Sequence, residues 1–143
     1  MMHYLLIAKD GKVQFSHYFT HVTPSARPAL EARVVGKCQS ADKEGCHFLE
    51  DGEHTLVFRW FGPCIFLVGA DHQENELMVY EFLGLYVGAL QRYFGKFSER
   101  HLLLSTDHLH MVLEEMVVDG ELVESSIKNV LAPIQMLDAA SSR

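Results

Sequence analysis

Nowhere in the 143 residues is there a basic cluster, a membrane-length apolar run or a C-x-x-C pair, and each absence removes a class of function. The formal net charge is −7, with no lysine or arginine patch to offset it. That argues against nucleic acid as a direct partner and against anionic lipid as the main anchor. No apolar run approaches the roughly 20 residues that a membrane span needs. The opening M-M-H-Y-L-L-I-A-K-D is too short in its apolar part for a signal peptide. Met2 stands where myristoylation needs glycine, and no C-a-a-X box closes the chain. Cys38, Cys46 and Cys64 are odd in number and wrongly spaced for zinc, so they read as reduced, buried thiols. The expectation is a soluble cytoplasmic protein whose membrane contact is borrowed from a partner.

Catalytic signatures are missing too. There is no G-x-S-x-G, Gly-rich phosphate loop, H-E-x-x-H or kinase motif. Nine histidines invite a metal reading, and His101, His108 and His110 form the densest group. On a helix, i and i+2 face different ways, so one ion is not easily held by both His108 and His110. Glu114 and Glu115 are adjacent and so point apart. Cys64 follows Pro63 beside an apolar strand, where a thiol is inert. No catalytic residue, metal or cofactor is assigned, and the expectation is a protein without enzymatic activity.

What is present is apolar pattern. The length suits one domain, residues 1–143. Its centre is the stretch from Asn75 to Gly95, where Met78, Phe82, Leu85, Tyr86, Ala89, Leu90 and Tyr93 recur in steps of three and four. Asp71 or Asn75 can cap this helix, Glu74 and Glu76 suit its N-terminus, and Gly95 fits the left-handed position past its end. Gly84 and Gly88 would let another backbone approach closely.

Ahead of that helix, His3–Ala8, the Asp10-Gly11 turn and Val13–Thr20 read as an antiparallel hairpin. Thr23-Pro24 opens a helix over 24–39, with Leu30, Val34 and Cys38 on one face. Gln39–Gly45 is a polar loop. Cys46–Glu50 is a third strand, followed by an Asp51-Gly52 turn. His54–Phe61 alternates, with Leu56, Phe58 and Trp60 on one side and Thr55, Val57 and Arg59 on the other. Gly62-Pro63 breaks the run, and continuously apolar Cys64–Ala70 suits a central strand covered on both faces. Past Gly95, a short segment opens at Ser98. A helix of about ten residues is capped by Thr106 or Asp107 and ended by Asp119-Gly120. A last helix opens at Ser125 or Ser126, and Pro133 should kink it or mark a join. The tail from Ala140 to Arg143 frays. The order β-β-α-β-β-β and then helices predicts an α+β fold, a five-stranded antiparallel sheet with helices on both faces. The helices carry more apolar surface than five short strands can cover. Leu102, Leu103 and Leu104 cannot all enter one core, which points to a groove or docking surface.

With those elements in place, the sequence resembles the small (sigma) subunits of heterotetrameric adaptor-protein complexes, the clathrin adaptor small chain family. The likeness rests on Asp10-Gly11-Lys12, Phe48-Leu49-Glu50 and Phe58-Arg59-Trp60-Phe61. It continues through Glu74-Asn75-Glu76-Leu77 with Tyr80-Glu81-Phe82, Val87 with Leu90 and Tyr93-Phe94, Leu113-Glu114-Glu115-Met116, and Gly120 with Val123-Glu124. Val68-Gly69-Ala70-Asp71 through Tyr80-Glu81-Phe82, and Val130-Leu131-Ala132-Pro133 with Leu137-Asp138, lean toward the fourth, non-clathrin adaptor complex. The resemblance implies a longin-like fold and a non-enzymatic subunit packed on the N-terminal helical solenoid of a large adaptin. It implies further adaptor subunits as partners, and a place on the cytosolic face of trans-Golgi, endosomal or coated-vesicle membranes, reached indirectly through the complex.

Several clathrin-adaptor sigma subunits also bind cargo tails bearing an acidic dileucine motif. Carried over residue by residue, the resemblance puts that pocket at Gly62, Cys64, Val87, Phe97 and Leu102. Lys96 lies alongside, and Arg59 is placed for the acidic residue. The sequence departs from the pattern at Cys64, where a branched aliphatic is expected, and at Phe97, where a smaller residue is expected and the ring could fill the pocket. Gln14 replaces a basic residue on the second strand. Ser98-Glu99-Arg100-His101 stands where the family has Cys-Glu-Leu-Asp. Two further readings share the fold: a coatomer zeta-type subunit, and a free-standing longin-type regulator binding a small GTPase or a fusion protein.

Overall fold

Tight turns fold the first half of the chain into a sheet. In the computed structural model, which describes residues 1–41 and 47–141, β1 (Met2–Lys9), β2 (Lys12–Tyr18), β3 (Phe48–Asp51), β4 (His54–Phe61) and β5 (Cys64–Asp71) form one antiparallel sheet of order β2-β1-β5-β4-β3. Asp10 and Gly11 have φ of 52° and 79°, so the first turn takes the hairpin-favouring form in which both central residues are left-handed. The second turn is displaced by one residue from the sequence reading. Asp51 pairs with His54, so Gly52 (φ 60°) and Glu53 make the turn and Asp51 belongs to the strand. Gly62 (φ 60°) and Pro63 make the third, between the paired Phe61 and Cys64.

The chain divides into two compact units, Met1–Leu83 and Gly84–Arg143. In the first, α1 (Arg27–Gln39) packs on one face of the sheet. Val34, Val35 and Cys38 meet Tyr4, Leu6, Ala8, Leu56, Phe58, Ile65 and Leu67, with Trp60 and Leu30 at the margin. The period-two prediction for β4 therefore holds. β5, the middle strand, is buried from Cys64 to Ala70, as its unbroken apolar run requires. Pro24–Ala26 forms a 3-10 turn before α1, and Thr23 makes no side-chain cap there, so the predicted start of that helix is corrected by about one turn. Asp51, 7% exposed, accepts from Arg33 Nε and Nη2 at 3.0 Å each and from Lys37 Nζ at 2.9 Å. These bonds tie α1 to the end of β3, and Arg33 above all holds the carboxyl down at about 2.

α2 (Glu76–Phe94) supplies residues to both units. Asn75 Oδ1 caps it, accepting from the N–H groups of Leu77 (3.0 Å) and Met78 (3.2 Å). Gly95 takes φ 78° just past its end.

The second unit continues with α3 (Glu99–Leu104), α4 (Thr106–Met116), β6 (Val117–Val118), β7 (Glu121–Leu122) and α5 (Ile127–Ser141). α4 contacts α3, β6 and α5. The β6–β7 hairpin was not expected. Asp119 (φ 51°) and Gly120 (φ 79°) are its turn rather than a helix end, and strands of two residues are too short to show a period. α4 begins at Thr106, with Ser105 in the cap position, which corrects the Thr106 or Asp107 assignment. Ser126 Oγ accepts from Asn129 N–H at the start of α5, which then runs on through Pro133 rather than joining two helices there. A Cβ on Gly88 would lie 3.2 Å from Ile127 Cδ1, so a side-chain tip, not another backbone, makes the close approach. No helix among the described residues is long and apolar enough to cross a membrane. Of the expected polar loop Gln39 instead ends α1, while residues 42–45, Cys46 at the start of the expected third strand, and the last two residues of the tail lie outside the described residues.

Candidate functional site

Four of the residues singled out by sequence lie in the first unit. Arg59, on β4, points away from the α1 face. Its guanidinium lies 4.5 Å from the centre of the Tyr80 ring and 5.2 Å from that of Phe61, and Nη1 donates to the Tyr80 carbonyl at 3.4 Å. Stacking between two rings fixes the arginine plane and keeps a permanent cation half-exposed at the β4–β5 hairpin. Tyr80 is in turn held by His47 (ring centres 4.9 Å apart) and Phe48 (6.3 Å). Gly62 is exposed at the tip of the same hairpin, and Cys64, beside it, is 6% exposed. Gln14 is not brought to this group. It lies on edge strand β2, with β1 and β5 between it and β4. The register there passes from Ile7↔Phe15 to Ala8↔Val13, which makes Gln14 the extra residue of a bulge. Its Nε2 donates to the Lys12 carbonyl at 3.3 Å.

The other four lie in the second unit. Val87 is 5% and Leu102 2% exposed. Phe97 is half-buried, and Lys96 is exposed just past the left-handed Gly95. An aromatic stack positions Phe97. The His101 ring lies 4.1 Å from Phe94 and 5.8 Å from Phe97, nearly parallel to both. His101 Nδ1 accepts from the Ser98 N–H at 3.0 Å, which settles the start of α3 and turns the ring back toward the end of α2. The histidine that departs from the family's run therefore organises the residue it stands near. Leu102 is the buried member of its triplet, while Leu103 (71%) and Leu104 (75%) are exposed. Val118, Val123, Met136 and Leu137 are exposed in the same unit. Large exposed apolar side chains are thus concentrated there; the first unit contributes Phe48 and Leu77.

The histidines of α4 do not converge. His108 packs on Tyr93 (5.2 Å) and faces Asp138 at 3.7 Å, whereas burial lowers the pKa of His110. Tyr93 OH also donates to Asp138, and burial together with that bond pushes the phenol pKa up. Sequence reasoning missed Tyr80 as the partner of Arg59, Asp51 as a buried clamp, and His101 as an organiser. Only the first had a signal: the Phe58-Arg59-Trp60-Phe61 and Tyr80-Glu81-Phe82 segments both carry the resemblance, though nothing in the sequence paired them.

Comparison with known proteins bears on the whole length. The profile of the clathrin adaptor complex small chain family matches residues 1–141. The sigma subunit of the AP-4 complex from Arabidopsis thaliana is 36% identical over 136 residues, 95% of each chain. The human AP-4 sigma-1 subunit is 35% identical over 138 residues, 96% of each chain. The AP-1 sigma-1 subunit of Schizosaccharomyces pombe is 30% identical over 138 residues, 96% of this chain and 85% of that one. A chain in a homology model of the full-length AP-3 complex, in a stretched open conformation, shares the fold, with a TM-score of 0.75 at 22% identity. That match covers 99% of this chain and 96% of the other.

Proposed function

Because the chain belongs to the clathrin adaptor complex small chain family, whose members are structural components of vesicle trafficking rather than enzymes, we propose that it is the sigma subunit of an AP-4-type heterotetramer. In this reading residues 1–143 act as one small-subunit domain on the N-terminal solenoid of a large adaptin. The complex sits on the cytosolic face of trans-Golgi, endosomal or coated-vesicle membranes, and the membrane is reached only through it. The observation that carries the reading is the family match over nearly the whole chain, with AP-4 sigma subunits at 35–36% identity. The apolar residues exposed in the second unit support it, since an obligate interface is large and apolar.

The test is a pull-down of tagged protein from its own cell extract, with mass spectrometry of the co-purifying chains. Stoichiometric recovery of two large adaptins and a medium chain is expected, and the large chains identify the complex. Coatomer chains would reassign the protein as a zeta-type subunit. A clean monomer would leave a free longin-type module.

Recognition of acidic dileucine tails is the finer part of the proposal. In the first unit Arg59 is a fixed cation suited to the acidic residue and Cys64 is apolar; in the second unit Val87, Leu102 and Phe97 are apolar and suited to the leucines. Within the second unit Val87 is 5% and Leu102 2% exposed, so a leucine must displace a covering side chain there; Phe97, in the same unit, is the candidate cover. Phe97→Ala is expected to strengthen binding of a dileucine peptide to the assembled complex, and Val87→Asp to abolish it without loss of assembly. Equal binding by wild type, Phe97→Ala and Val87→Asp would sink this part.

A further inference from the structure

Three side chains far apart in sequence meet at one end of three adjacent strands. His3 lies near the start of β1, Asp71 ends β5 and His54 begins β4, and His54 and Asp71 are register partners. Each offers one ligating atom, and those atoms lie within 4.8 Å of one another. Among the described residues no other group of three histidines, cysteines or carboxylates does this. All three are half-buried. His3 Nε2 is 2.5 Å from Asp71 Oδ1, while Nδ1 is 3.0 Å from Thr20 Oγ1. The threonine fixes the ring and leaves Nε2 facing the group, the second-layer contact that metal-binding histidines use. The His54 ring stacks on His3 at 4.4 Å. Beside them opens a cavity of about 420 Å³, lined in part by His54, Asp71, His72 and Glu53.

We propose that His3, His54 and Asp71 form a binding site for a divalent transition metal, zinc in the first instance. His3 Nε2, one His54 nitrogen and Asp71 Oδ1 are the ligands, and water from the cavity completes the shell. Two imidazoles and one carboxylate suit zinc, and they disfavour calcium and magnesium, which take oxygen shells. Tetrahedral zinc holds its ligands at about 2.0–2.2 Å, which sets them roughly 3.3 Å apart. The His3–Asp71 pair must therefore open a little and the wider pairs close, movements within reach of side-chain rotation. The ion takes the place of the hydrogen between His3 Nε2 and Asp71 Oδ1; the metal-bound ring is neutral and carries its one hydrogen on Nδ1, donated to Thr20 Oγ1, and only a proton in excess of that leaves to solvent. Met1's ammonium lies 3.5 Å from Asp71 Oδ2 and also pairs with Glu74, so it occupies the other carboxylate oxygen. A bound ion would join β1 to β4 across β5.

The experiment is zinc titration of the full, tag-free chain by calorimetry, with NMR of the imidazole ring signals. One ion per chain is expected, with His3 and His54 responding first and the unfolding temperature rising with zinc concentration. His54→Gln should weaken binding at least about tenfold, and the double variant His108→Gln/His110→Gln should leave it unchanged. Absence of stoichiometric binding, or zinc reaching His101, His108 or His110 before His3 and His54, overturns the proposal. Wild-type affinity in His54→Gln does the same. If that variant misfolds, the order of ring responses in the unaltered chain decides.

Discussion

Adding one methyl group at Gly69 should be felt through the whole first unit. Gly69 faces Tyr4 across the β1–β5 ladder. A Cβ there would lie 2.2 Å from Tyr4 Cζ, 2.4 Å from Oη and 2.6 Å from Cε1. Carbon atoms pack best at about 3.5–4.0 Å, so the ring would have to retreat by more than about 1 Å. It has little room, being 1% exposed, beside Tyr18 and His54, and part of the cluster under α1. Overpacking of this kind costs about 1–3 kcal/mol, and a confined rigid ring puts Gly69→Ala at the upper end. Tyr4→Leu alone should cost about 2–3 kcal/mol through the space it leaves. In the double variant the leucine vacates the volume the methyl needs, so the two costs should fall short of additivity by about 1 kcal/mol or more. Urea unfolding of the full chain, followed by the fluorescence of its single tryptophan, Trp60, measures all three. A Gly69→Ala cost under about 0.5 kcal/mol, or full additivity, would refute the steric account.

Other expectations can be measured the same way. Asp51→Asn should lose about 1.5–3 kcal/mol, because the variant keeps the shape but not the charge gripped by Arg33 and Lys37. Asp51 is depressed to about 2 in the folded chain, below its unfolded value. Its contribution is therefore full above the ordinary carboxylate range and is lost as pH falls toward 2, and the gap between wild type and variant should close over that window. Asn75→Ala should cost about 1 kcal/mol by removing the α2 cap; no change would mean that the cap is dispensable. Leu103→Ser with Leu104→Ser should leave unfolding within about 0.5 kcal/mol of wild type yet reduce recovery of the large adaptin in the pull-down. Undiminished recovery would remove those leucines from the proposed interface.

What was legible in the sequence had a period or a punctuation mark. The run Cys64–Ala70 announced a central strand, the steps of three and four announced α2, and Asn75 and Gly95 marked its ends. The β6–β7 hairpin had no period, because two-residue strands carry no alternation, and its one mark, Asp119-Gly120, serves a helix end or a turn equally well. Asp51 looked like turn chemistry, and only its pairing with His54 and its salt bridges reveal it as a strand residue. The proposed metal ligands were invisible for another reason. Residues 3, 54 and 71 become neighbours only through the strand order, and the histidines dense in sequence are the ones the helix separates. Candidate pocket residues were named by resemblance, not by any local signal, and their burial could not be read from the pattern.

The strand order also sets a timetable. β1 is made first, yet its second neighbour is β5, with Met2 opposite Ala70 and Lys9 opposite Cys64. Until the chain has been synthesised past Asp71, β1 can pair only with β2. The apolar edge from Leu5 to Ala8 then waits unpaired, the kind of edge that recruits other chains. Non-local pairing is slow as well, because loop closure precedes its reward. Folding of the first unit should thus be limited by the arrival of β5, and the newborn chain is most exposed to aggregation in that interval.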